Sequence, residues 1–458
     1  MTRVLPLAVL LFALLASPAL AEVKTETFRY PVQVDGYQVK QEFTYNIDHP
    51  KVDGFITNMS VDVVDGDGTP VPINRLMLHH IVFSTVGRPS PTCSQFTAFD
   101  SKTRIPGLAE EFYAAGEERN KLALPPGYGY RMRANDPWVM TWMLMNHKQA
   151  PDHAFIQWTV TYDTSPNVTE VKPYWLDVRN CEADPIYNVP GDGRPGSVYK
   201  QTYQLRMPES GRIVAGGGHV HGGGLDLRLS EPDCSNRTFA RMVPAWGEPD
   251  HPFYHVYPVL HEPGPIAMSS FASEKGIPVV KGQRILLTSD YDNSRLHDRV
   301  MGISIIYVAP DQTVKNGCGP FPDDLQSYQT PLPHRTIAPL FKVPITGIGS
   351  NGLARTISHP PGSTRKLRSG STVYVGDYAF SAPNAVVTKG SKVRWRFAPN
   401  TLHNVTVANG PRGFGSQNLN DGRSFQYKFT RPGTYQLFCA LHPVKMTEVV
   451  RVVNAKKH

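Results

Sequence analysis

Short runs of alternating apolar and polar residues, each broken by proline or glycine after a few positions, fill most of this 458-residue chain. Alternation with a period of two is the pattern of a strand with one buried face. The 41 prolines and 38 glycines supply turn signals between the runs, and no stretch of convincing length has the helical period. With 40% hydrophobic and 19% charged residues, the chain is able to build packed cores. We therefore predict an all-β protein: two jelly-roll-like β-sandwich domains followed by a Greek-key β-sandwich.

Three β-rich blocks follow one another along the chain, whose length suits about three domains of ordinary size. We place them at 22–182, 183–320 and 371–455, with the segment 321–370, rich in proline, glycine, serine and threonine, as a linker. One helix is predicted, at 106–115. The predicted strands of the first and last blocks are 27–34, 37–45, 55–64, 79–86, 139–145, 154–162, 372–378, 385–388, 392–397, 404–407, 424–429, 433–438 and 448–452.

The first 21 residues have the features of a secretory signal peptide. Arg3 precedes an apolar stretch at 4–16, and residues 19–21, Ala-Leu-Ala, form a small-residue cleavage site. The apolar stretch is shorter than a membrane span, so a membrane anchor is the less favoured interpretation, and no other stretch is apolar enough to cross a bilayer. We expect a mature chain that begins near Glu22 and is secreted, into the periplasm if the source is bacterial.

Five cysteines fit an oxidising compartment. Cys439 belongs to a motif described below, and the other four are able to form two disulfides. Four cysteines allow three pairings, and the sequence does not choose among them. We prefer Cys93–Cys181 and Cys234–Cys318, because each bridge then stays within one block.

The net charge of +8 is scattered along the chain. No basic run is long enough to predict nucleic-acid binding. The one local cluster, Arg365, Lys366 and Arg368, suits a solvated linker; a docking surface for an acidic electron-transfer partner is the alternative.

A thiol, an imidazole and a thioether lie within eight residues near the C-terminus. Cys439, His442 and Met446 follow a predicted strand at 433–438, and His403 lies upstream between two other strands. One cysteine, two histidines and a methionine are the ligands of a blue-copper electron-transfer site. Through these residues the last block resembles the plastocyanin-like cupredoxins over its full length. The resemblance implies a type 1 copper that exchanges single electrons with little rearrangement of its ligands.

Histidines also recur in the first block. His79 and His80 are adjacent within a predicted strand, and His147 follows another strand, with His153 nearby as an alternative ligand. Consecutive strand residues point to opposite faces, so the adjacent pair needs a bulge or a twist to converge on one ion. Three imidazoles suit copper, and zinc would accept them too.

The second block carries two histidines at the strand period. His219 and His221 point to the same face of a strand, and three glycines on each side let backbone or ligand approach closely. Met301 opens a hydrophobic strand further along the chain and is able to supply a thioether. Two imidazoles and a soft sulfur favour Cu(I), the state that binds dioxygen.

The order of these ligands resembles the copper type II, ascorbate-dependent monooxygenases, the family of peptidylglycine α-hydroxylating monooxygenase and dopamine β-monooxygenase. The resemblance covers about 60–310 and includes a Pro-Gly-x-Gly-Tyr segment, within 124–130, before the strand that ends in His147. It implies two β-sandwich domains, each with one mononuclear copper, that face each other across a solvent-filled cleft.

The resemblance also divides the ligands into two sets. This chain has Gly217 and Ile305 where peptide-directed members have an arginine and a tyrosine, so the resemblance does not extend to recognition of a peptide carboxylate. The electron-storing set is His79, His80 and His147, and the catalytic set, which would bind dioxygen and attack a substrate C–H bond, is His219, His221 and Met301.

These motifs predict a copper-dependent oxidoreductase, specifically an O₂-using monooxygenase that hydroxylates an unidentified organic substrate. Three coppers per chain, one type 1 and two type 2, would supply electrons singly. The electron donor would be ascorbate or a redox protein, with the cupredoxin as the relay. A non-catalytic copper-binding or electron-transfer protein would use the same ligands and is the alternative. A multicopper oxidase is less favoured, because Phe438 and Ala440, rather than histidines, flank Cys439. The remaining histidines of the second block are expected to be surface or structural residues: His251, His255, His261 and His297.

Overall fold

The computed structural model consists almost entirely of strands in the part of the chain that it describes, namely residues 22–98, 107–182, 184–328 and 338–455. The all-β prediction is therefore confirmed. Helix in this part is limited to two short 3-10 turns, Pro232–Cys234 and Pro252–Tyr254. None of the described helices is long and apolar enough to cross a membrane. The predicted signal peptide lies outside the described residues and stays a prediction.

Two sheets with a common apolar core form the first block. Its strands are β1 (Val23–Val34), β2 (Val39–Ile47), β3 (Gly54–Val64), β4 (Leu76–Val86), β5 (Thr97–Ala98), β6 (Gly107–Gly116), β7 (Leu122–Ala123), β8 (Tyr128–Met132), β9 (Trp138–Asn146), β10 (Asp152–Asp163) and β11 (Thr169–Asp177). One sheet has the order β2-β9-β4-β6-β5, and the other begins β1-β10-β3-β8-β11, with β7 also paired to β3. The period of two explains the packing: in β10, every second residue from Ala154 to Tyr162 is buried.

The helix predicted at 106–115 is wrong in its described part, which is strand β6. Alanine, leucine and glutamate favour a helix in this segment. Tertiary pairing overrides that preference, because β6 lies between β4 and β5 and buries Phe112 and Tyr113 in the core. Even its polar Glu110 is buried, and it accepts a hydrogen bond from the Tyr130 hydroxyl at 2.8 Å.

The second block forms another sheet and extends one sheet of the first. Its strands are β12 (Tyr187–Val189), β13 (Val198–Arg206), β14 (Gly211–Val220), β15 (Gly224–Glu231), β16 (Arg237–Met242), β17 (Pro244–Ala245), β18 (Ala267–Met268), β19 (Ser270–Val279), β20 (Arg284–Asp292), β21 (His297–Val300) and β22 (Gly302–Pro310). The separate sheet has the order β13-β20-β15-β16. A second core, which includes Leu227, Leu287 and Ile306, lies between it and the extended sheet.

One sheet therefore runs through both blocks. Strand β11 of the first block pairs with β22 of the second, from Lys172↔Val308 to Asp177↔Ile303, and the order continues β22-β14-β19. The predicted boundary near 182 lies in the connection that follows β11. The domain limits stay a prediction, and we refer to the two blocks together as the body.

The predicted linker is partly built into the structure on either side of it. Its first strand, β23 (Gln326–Tyr328), adds to the edge of the body sheet beside β19. Two further strands, β24 (Thr346–Ile348) and β25 (Ala354–Thr356), pair with each other. Val343 and Ile345 are buried in one cluster with Phe438 of the last block. The described part of the segment thus packs along the junction instead of spanning open solvent.

The last block is a sandwich of two sheets. Its strands are β26 (Thr364–Lys366), β27 (Thr372–Gly376), β28 (Ala379–Phe380), β29 (Asn384–Thr388), β30 (Lys392–Phe397), β31 (Thr406–Asn409), β32 (Ser424–Lys428), β33 (Gly433–Phe438) and β34 (Thr447–Val453). The orders are β26-β29-β34-β33-β31 and β28-β27-β30-β32. Alternation again decides the packing: in β30, Val393, Trp395 and Phe397 are buried, and the basic residues between them are exposed.

The last block is docked against the body. Val444, from the turn between His442 and Met446, packs in an apolar cluster with Met77 and Met143 of the body. On another part of the same junction, the Gly413 amide donates a hydrogen bond to the Pro190 carbonyl at 2.7 Å. The loop that carries the predicted blue-copper ligands is therefore part of the interface.

Both preferred disulfides are present. Cys93 is joined to Cys181 within the first block, and Cys234 is joined to Cys318 within the second. Among the described residues, Cys439 is the one free cysteine, and it is buried. The pairing therefore leaves the Cys439 thiol available to a metal ion.

Candidate metal centres

Three of the four predicted blue-copper ligands converge at one end of the last block. Nδ1 of His403 lies 3.2 Å from Nδ1 of His442. Sγ of Cys439 lies 3.6 Å from Nδ1 of His442 and 4.0 Å from Nδ1 of His403. One ligand atom from each of these three residues lies within 4.8 Å of the other two. The three atoms are therefore correctly placed to hold one metal ion.

Hydrogen bonds within the loop maintain this geometry. The Cys439 amide donates to the Met446 carbonyl at 3.0 Å, and the Met446 amide donates to the His442 carbonyl at 2.9 Å. The Asn404 amide donates to Cys439 Sγ at 3.4 Å, and Asn404 Oδ1 accepts from the Ala440 amide at 2.8 Å. Met446 is completely buried in the same core as Cys439, as expected of a weak fourth ligand.

Burial sets the protonation of these ligands. It lowers the pKa of His442 to about 4 and also lowers the pKa of His403, so both imidazoles are neutral at neutral pH. It raises the pKa of the Cys439 thiol, which favours loss of the proton only when a cation compensates the thiolate. The donor set and its environment therefore fit copper.

A two-sheet sandwich that presents a buried cysteine, two histidines and a methionine in this order defines the class of blue-copper proteins. Amicyanin-alpha of Methylorubrum extorquens is 31% identical to this chain over 94 residues, which are 20% of this chain and 73% of that protein. The chain therefore belongs to the cupredoxin family through its last block. We call this block the cupredoxin domain, a copper-binding, electron-transfer domain.

Two solved structures are also similar. An oxidised mutant of amicyanin is 21% identical, with 19% of this chain and 90% of that chain covered and a TM-score of 0.17. A purple cupredoxin from Nitrosopumilus maritimus is 24% identical, with 18% and 99% covered and a TM-score of 0.17. TM-scores this low add nothing to the sequence similarity. No family model matches the chain, and none of these comparisons supports the monooxygenase resemblance of the body.

The adjacent histidines of β4 converge because the strand has a bulge at His79. The pairing of β4 with β9 shifts register between Leu78 and His80, as the adjacent pair required. The ring centroids of His79 and His80 lie 5.2 Å apart. Burial lowers the pKa of His79 to about 4 and that of His80 well below its ordinary value. Both rings are therefore neutral at neutral pH, the form that binds a metal.

Histidines assigned to two separate sites lie in ring contact. The ring centroids of His79 and His221 are 4.7 Å apart, and those of His219 and His221 are 4.9 Å apart. Gly116 permits this approach, because a Cβ atom at its position would collide with the His219 ring. The resemblance implied two copper sites on opposite sides of a solvent-filled cleft. The structure instead brings residues of both sets together where the two blocks of the body meet.

Four histidines of the body have Nδ1 fixed by a hydrogen bond and a buried Nε2 without a partner among the described residues, namely His147, His219, His221 and His297. Metal-binding histidines commonly have this arrangement, because the bond at one nitrogen fixes the tautomer and leaves the lone pair of the other. The Nδ1 partners are the Pro258 carbonyl at 2.9 Å for His147, the Arg299 carbonyl at 2.8 Å for His221, and both Glu118 oxygens at 3.1 Å for His219.

Met301 is tied to His221 through a shared hydroxyl group. The Tyr291 hydroxyl accepts a hydrogen bond from the His221 amide at 2.7 Å and donates one to the Met301 carbonyl at 2.6 Å. Tyr291 and Met301 are both buried. This hydroxyl fixes the spacing between the backbones that carry two of the predicted catalytic ligands.

Tyr291→Phe is expected to destabilise the body by roughly 2 to 6 kcal/mol, because it leaves two buried backbone groups without a partner at about 1 to 3 kcal/mol each. The affinity of the body for copper should also fall in this variant. Urea unfolding and copper titration measure both effects. Tyr187→Phe is the matched control, since the buried Tyr187 hydroxyl shares a hydrogen bond of 2.9 Å with the Ser289 hydroxyl and not with the backbone of a predicted ligand. Equal losses in the two variants would contradict a specific role for Tyr291.

Glu117 and His261 were not singled out from the sequence. Glu117 directly follows β6, and its side chain is 3% exposed beside His79. His261 was expected to be a surface or structural residue, but its ring centroid lies 4.6 Å from that of His79. The adjacent glutamates Glu117 and Glu118, which directly follow β6, were the one local sign of a polar site there. His153, the alternative to His147, is exposed on β10. We call His79, His80, Glu117, His219, His221 and His261 the histidine cluster.

A pocket lies between the histidine cluster and the cupredoxin domain. His79 and His221 line it on one side, and Ala440 and Leu441, which follow Cys439, line it on the other. The space open to a water-sized molecule is about 40 Å³, enough for a few waters or a molecule of similar size. Asp298 also lines the pocket, and burial raises its pKa to about 6, so this carboxyl is able to take up and release a proton near neutral pH.

Proposed function

We propose that this protein is a copper-dependent oxidoreductase in which the cupredoxin domain exchanges electrons with a metal centre held by the histidine cluster. Copper, when bound, alternates between Cu(I) and Cu(II) and so passes electrons one at a time. The docking of the Cys439 loop against the pocket that the cluster lines is the observation that carries the proposal. The signal-peptide pattern and the two disulfides support an exported protein.

A chain of hydrogen bonds connects the two centres. Cys439 Sγ accepts from the Asn404 amide at 3.4 Å, and Asn404 Nδ2 donates to Asn418 Oδ1 at 2.9 Å. Nη2 of Arg299 donates to the same oxygen at 3.2 Å. The Arg299 carbonyl accepts from Nδ1 of His221 at 2.8 Å. Three residues, Asn404, Asn418 and Arg299, thus link the thiol of the cupredoxin domain to an imidazole of the body.

Arg299 is held in place on both sides of the junction. Its side chain is 11% exposed and forms an ion pair with Asp184 at 3.1 Å. Its other terminal nitrogen donates to the Ser416 carbonyl at 3.2 Å. The φ angle of Arg299 is 48°, a left-handed conformation that is unfavourable for a residue other than glycine. Such strain is retained where the surroundings enforce it, commonly at functional positions.

Arg299→Met tests the link. The variant loses the side-chain donor to Asn418 and so interrupts the hydrogen-bonded chain, and we therefore expect electron transfer between the centres to slow several-fold. The measurement is rapid reduction of the type 1 copper, which removes its blue colour, followed by the return of that colour as the electron passes to the body centre.

Arg431→Met is the control for that experiment. Arg431 donates to the Gly191 carbonyl at 3.4 Å across the same junction, but it lies outside the hydrogen-bonded chain. This variant should transfer electrons at nearly the wild-type rate. If Arg299→Met does so too, or if the body takes up no electron in the wild type, the proposal is wrong.

The narrower form of the proposal is O₂-dependent hydroxylation, supported by the order of ligands in the sequence. One oxygen atom would enter a substrate C–H bond and the other would leave as water, with two electrons and two protons consumed. The electrons would come from ascorbate or a redox protein through the cupredoxin domain. Asp298 is placed to transfer protons in the pocket. His219, His221 and Met301 would be the catalytic ligands.

A non-catalytic electron-transfer protein is the second candidate. The small pocket favours it, because about 40 Å³ leaves little room for an organic substrate beside the cluster. Copper content and quantitative EPR come first: three coppers per chain, one type 1 and two type 2, are expected of the oxidoreductase. Reductant oxidation with O₂ consumption then separates the candidates, since an electron carrier would show none beyond the rate of free copper.

A further inference from the structure

A carboxylate and two imidazoles converge at the junction of the two blocks of the body. Nδ1 of His79 lies 2.8 Å from Oε1 of Glu117, and Nε2 of His261 contacts the same oxygen. One ligand atom from each residue lies within 4.8 Å of the other two. We propose that His79, Glu117 and His261 form a binding site for a divalent metal ion.

The charge balance of Glu117 favours a cation here. Its side chain is 3% exposed, and its two ion-pair contacts are with His79 and His261. A buried carboxylate is unfavourable unless it is paired and hydrogen-bonded. Both of these partners are imidazoles, so the carboxylate is paired only through shared protons and not with a permanently charged group. A divalent ion in place of the shared protons would supply the charge that this site needs.

Unpartnered nitrogen atoms also point to a ligand. Nδ1 of His261 and Nε2 of His221 are buried without a hydrogen-bond partner among the described residues. His221 is 7% exposed, and its ring centroid is 4.7 Å from that of His79. Buried polar atoms normally have partners. Lone pairs that remain free beside a buried carboxylate are typical of ligands in the absence of their metal.

The donors indicate which ion would bind. Two nitrogens and a carboxylate oxygen suit Cu(II) and Zn(II), and of these two Cu(II) binds more tightly to a given nitrogen and oxygen site. A carboxylate is a poor ligand for Cu(I), which prefers sulfur and imidazole. The site therefore differs in chemistry from the set of His219, His221 and Met301. The inference rests on the proposed function, which places a metal centre in the body, and it adds two ligands that the motifs did not include.

The site would also tie the two blocks together. His79 and Glu117 belong to the first block, and His261 lies in the loop before β18 of the second. That loop already contacts Glu117, because the Gly264 amide donates to Oε2 at 2.8 Å. A metal ion would thus fix a loop that borders the pocket.

Zinc titration of the full-length protein tests the site. The type 1 site is first filled with copper, and Zn(II) alone is then added against a chelator. Glu117→Gln and His261→Gln are each expected to remove one tightly bound zinc, with the affinity at that site lowered by about 100-fold or more, since loss of a mere orienting partner costs about 10- to 100-fold. His297→Gln is the matched control: His297 and Glu262 form a buried pair at 2.8 Å outside the cluster, and its zinc affinity should stay within about threefold of wild type.

Unchanged zinc binding in both variants would overturn the proposal. So would a loss in Glu117→Gln alone, which would make Glu117 a positioning residue for His79. Far-UV circular dichroism and urea unfolding report folding of the body in every variant. If a variant does not fold, X-ray absorption of zinc in the wild type decides: nitrogen and oxygen neighbours support the site, and a sulfur neighbour refutes it. Electron transfer that fails while this zinc site persists would instead count against the proposed function.

Discussion

Cys439→Ser is expected to abolish the blue colour of the oxidised protein and its type 1 EPR signal. The colour of such a site arises from charge transfer between the thiolate and Cu(II), and a serine hydroxyl neither ionises at neutral pH nor supplies a soft sulfur. Serine is close to cysteine in size, and its oxygen is able to accept the hydrogen bond that the Asn404 amide gives to Cys439 Sγ at 3.4 Å. The cupredoxin fold should therefore survive while copper affinity falls by roughly a hundredfold or more. Absorption spectra, EPR and copper content of the two proteins measure the effect.

Met446→Leu is the matched control within the same loop. Met446 is completely buried and would be the weak fourth ligand, so its loss should keep the blue colour and raise the reduction potential. Copper bound by the body should be unchanged in both variants. A blue Cys439→Ser protein would mean that the thiolate is not a copper ligand, and the assignment of the cupredoxin site would then be wrong.

The predicted blue-copper ligands could be found from the sequence because three of the four lie within eight residues of one another. Cys439, His442 and Met446 lie on one loop between two strands, so their spacing in the sequence largely determines their spacing in the fold. His403 is distant in sequence, but it follows β30 at the same end of the sandwich. The alternation of buried and exposed residues gave the strands for the same local reason. Both disulfides followed from the division into blocks.

The body cluster was only partly predictable, because it depends on pairing across long stretches of chain. Its histidines were visible as motifs, but their convergence requires that the end of β6 meet β14, about a hundred residues later. Glu117 and His261 carry no local pattern of their own. The helix predicted at 106–115 was wrong for the same reason. Its residues favour a helix, but pairing with strands on both sides makes the described part a strand.

The hydrogen-bonded route between the cupredoxin domain and the body also depends on residues that are distant in sequence. The absence of histidines beside Cys439 argued against a multicopper oxidase, because that class uses flanking histidines to reach its second centre. In this chain Phe438 and Ala440 take those positions. The structure nevertheless places Ala440 on the pocket that His221 also lines. The hydrogen-bonded route from Cys439 to His221 runs through Arg299 and two asparagines, which no spacing rule in the sequence identifies.

The stability of the cupredoxin domain is expected to fall as the pH rises from about 5 to about 8, because of Glu448. This side chain is completely buried, and its Oε2 accepts a hydrogen bond from Nε1 of Trp395 at 2.8 Å. Burial raises the pKa of Glu448 from 4.5 to about 8. Between these values the folded protein keeps a proton that the unfolded chain has lost, so each rise in pH favours unfolding. The total loss is roughly 5 kcal/mol once the pH exceeds the folded pKa.

Glu448→Gln isolates this effect, because glutamine keeps the acceptor for Trp395 and does not ionise. Near pH 5 the two proteins should be about equally stable, since the carboxyl group is then neutral in the folded state. By pH 9 the variant should be more stable by several kcal/mol. Urea unfolding of the copper-loaded protein, followed by loss of the blue colour, measures this difference at each pH. Other titrating groups, including the copper ligands, contribute equally to both proteins and cancel. A difference that stays constant from pH 5 to 9 would mean that Glu448 is ionised in the folded protein, and would require a compensating positive charge at its free Oε1.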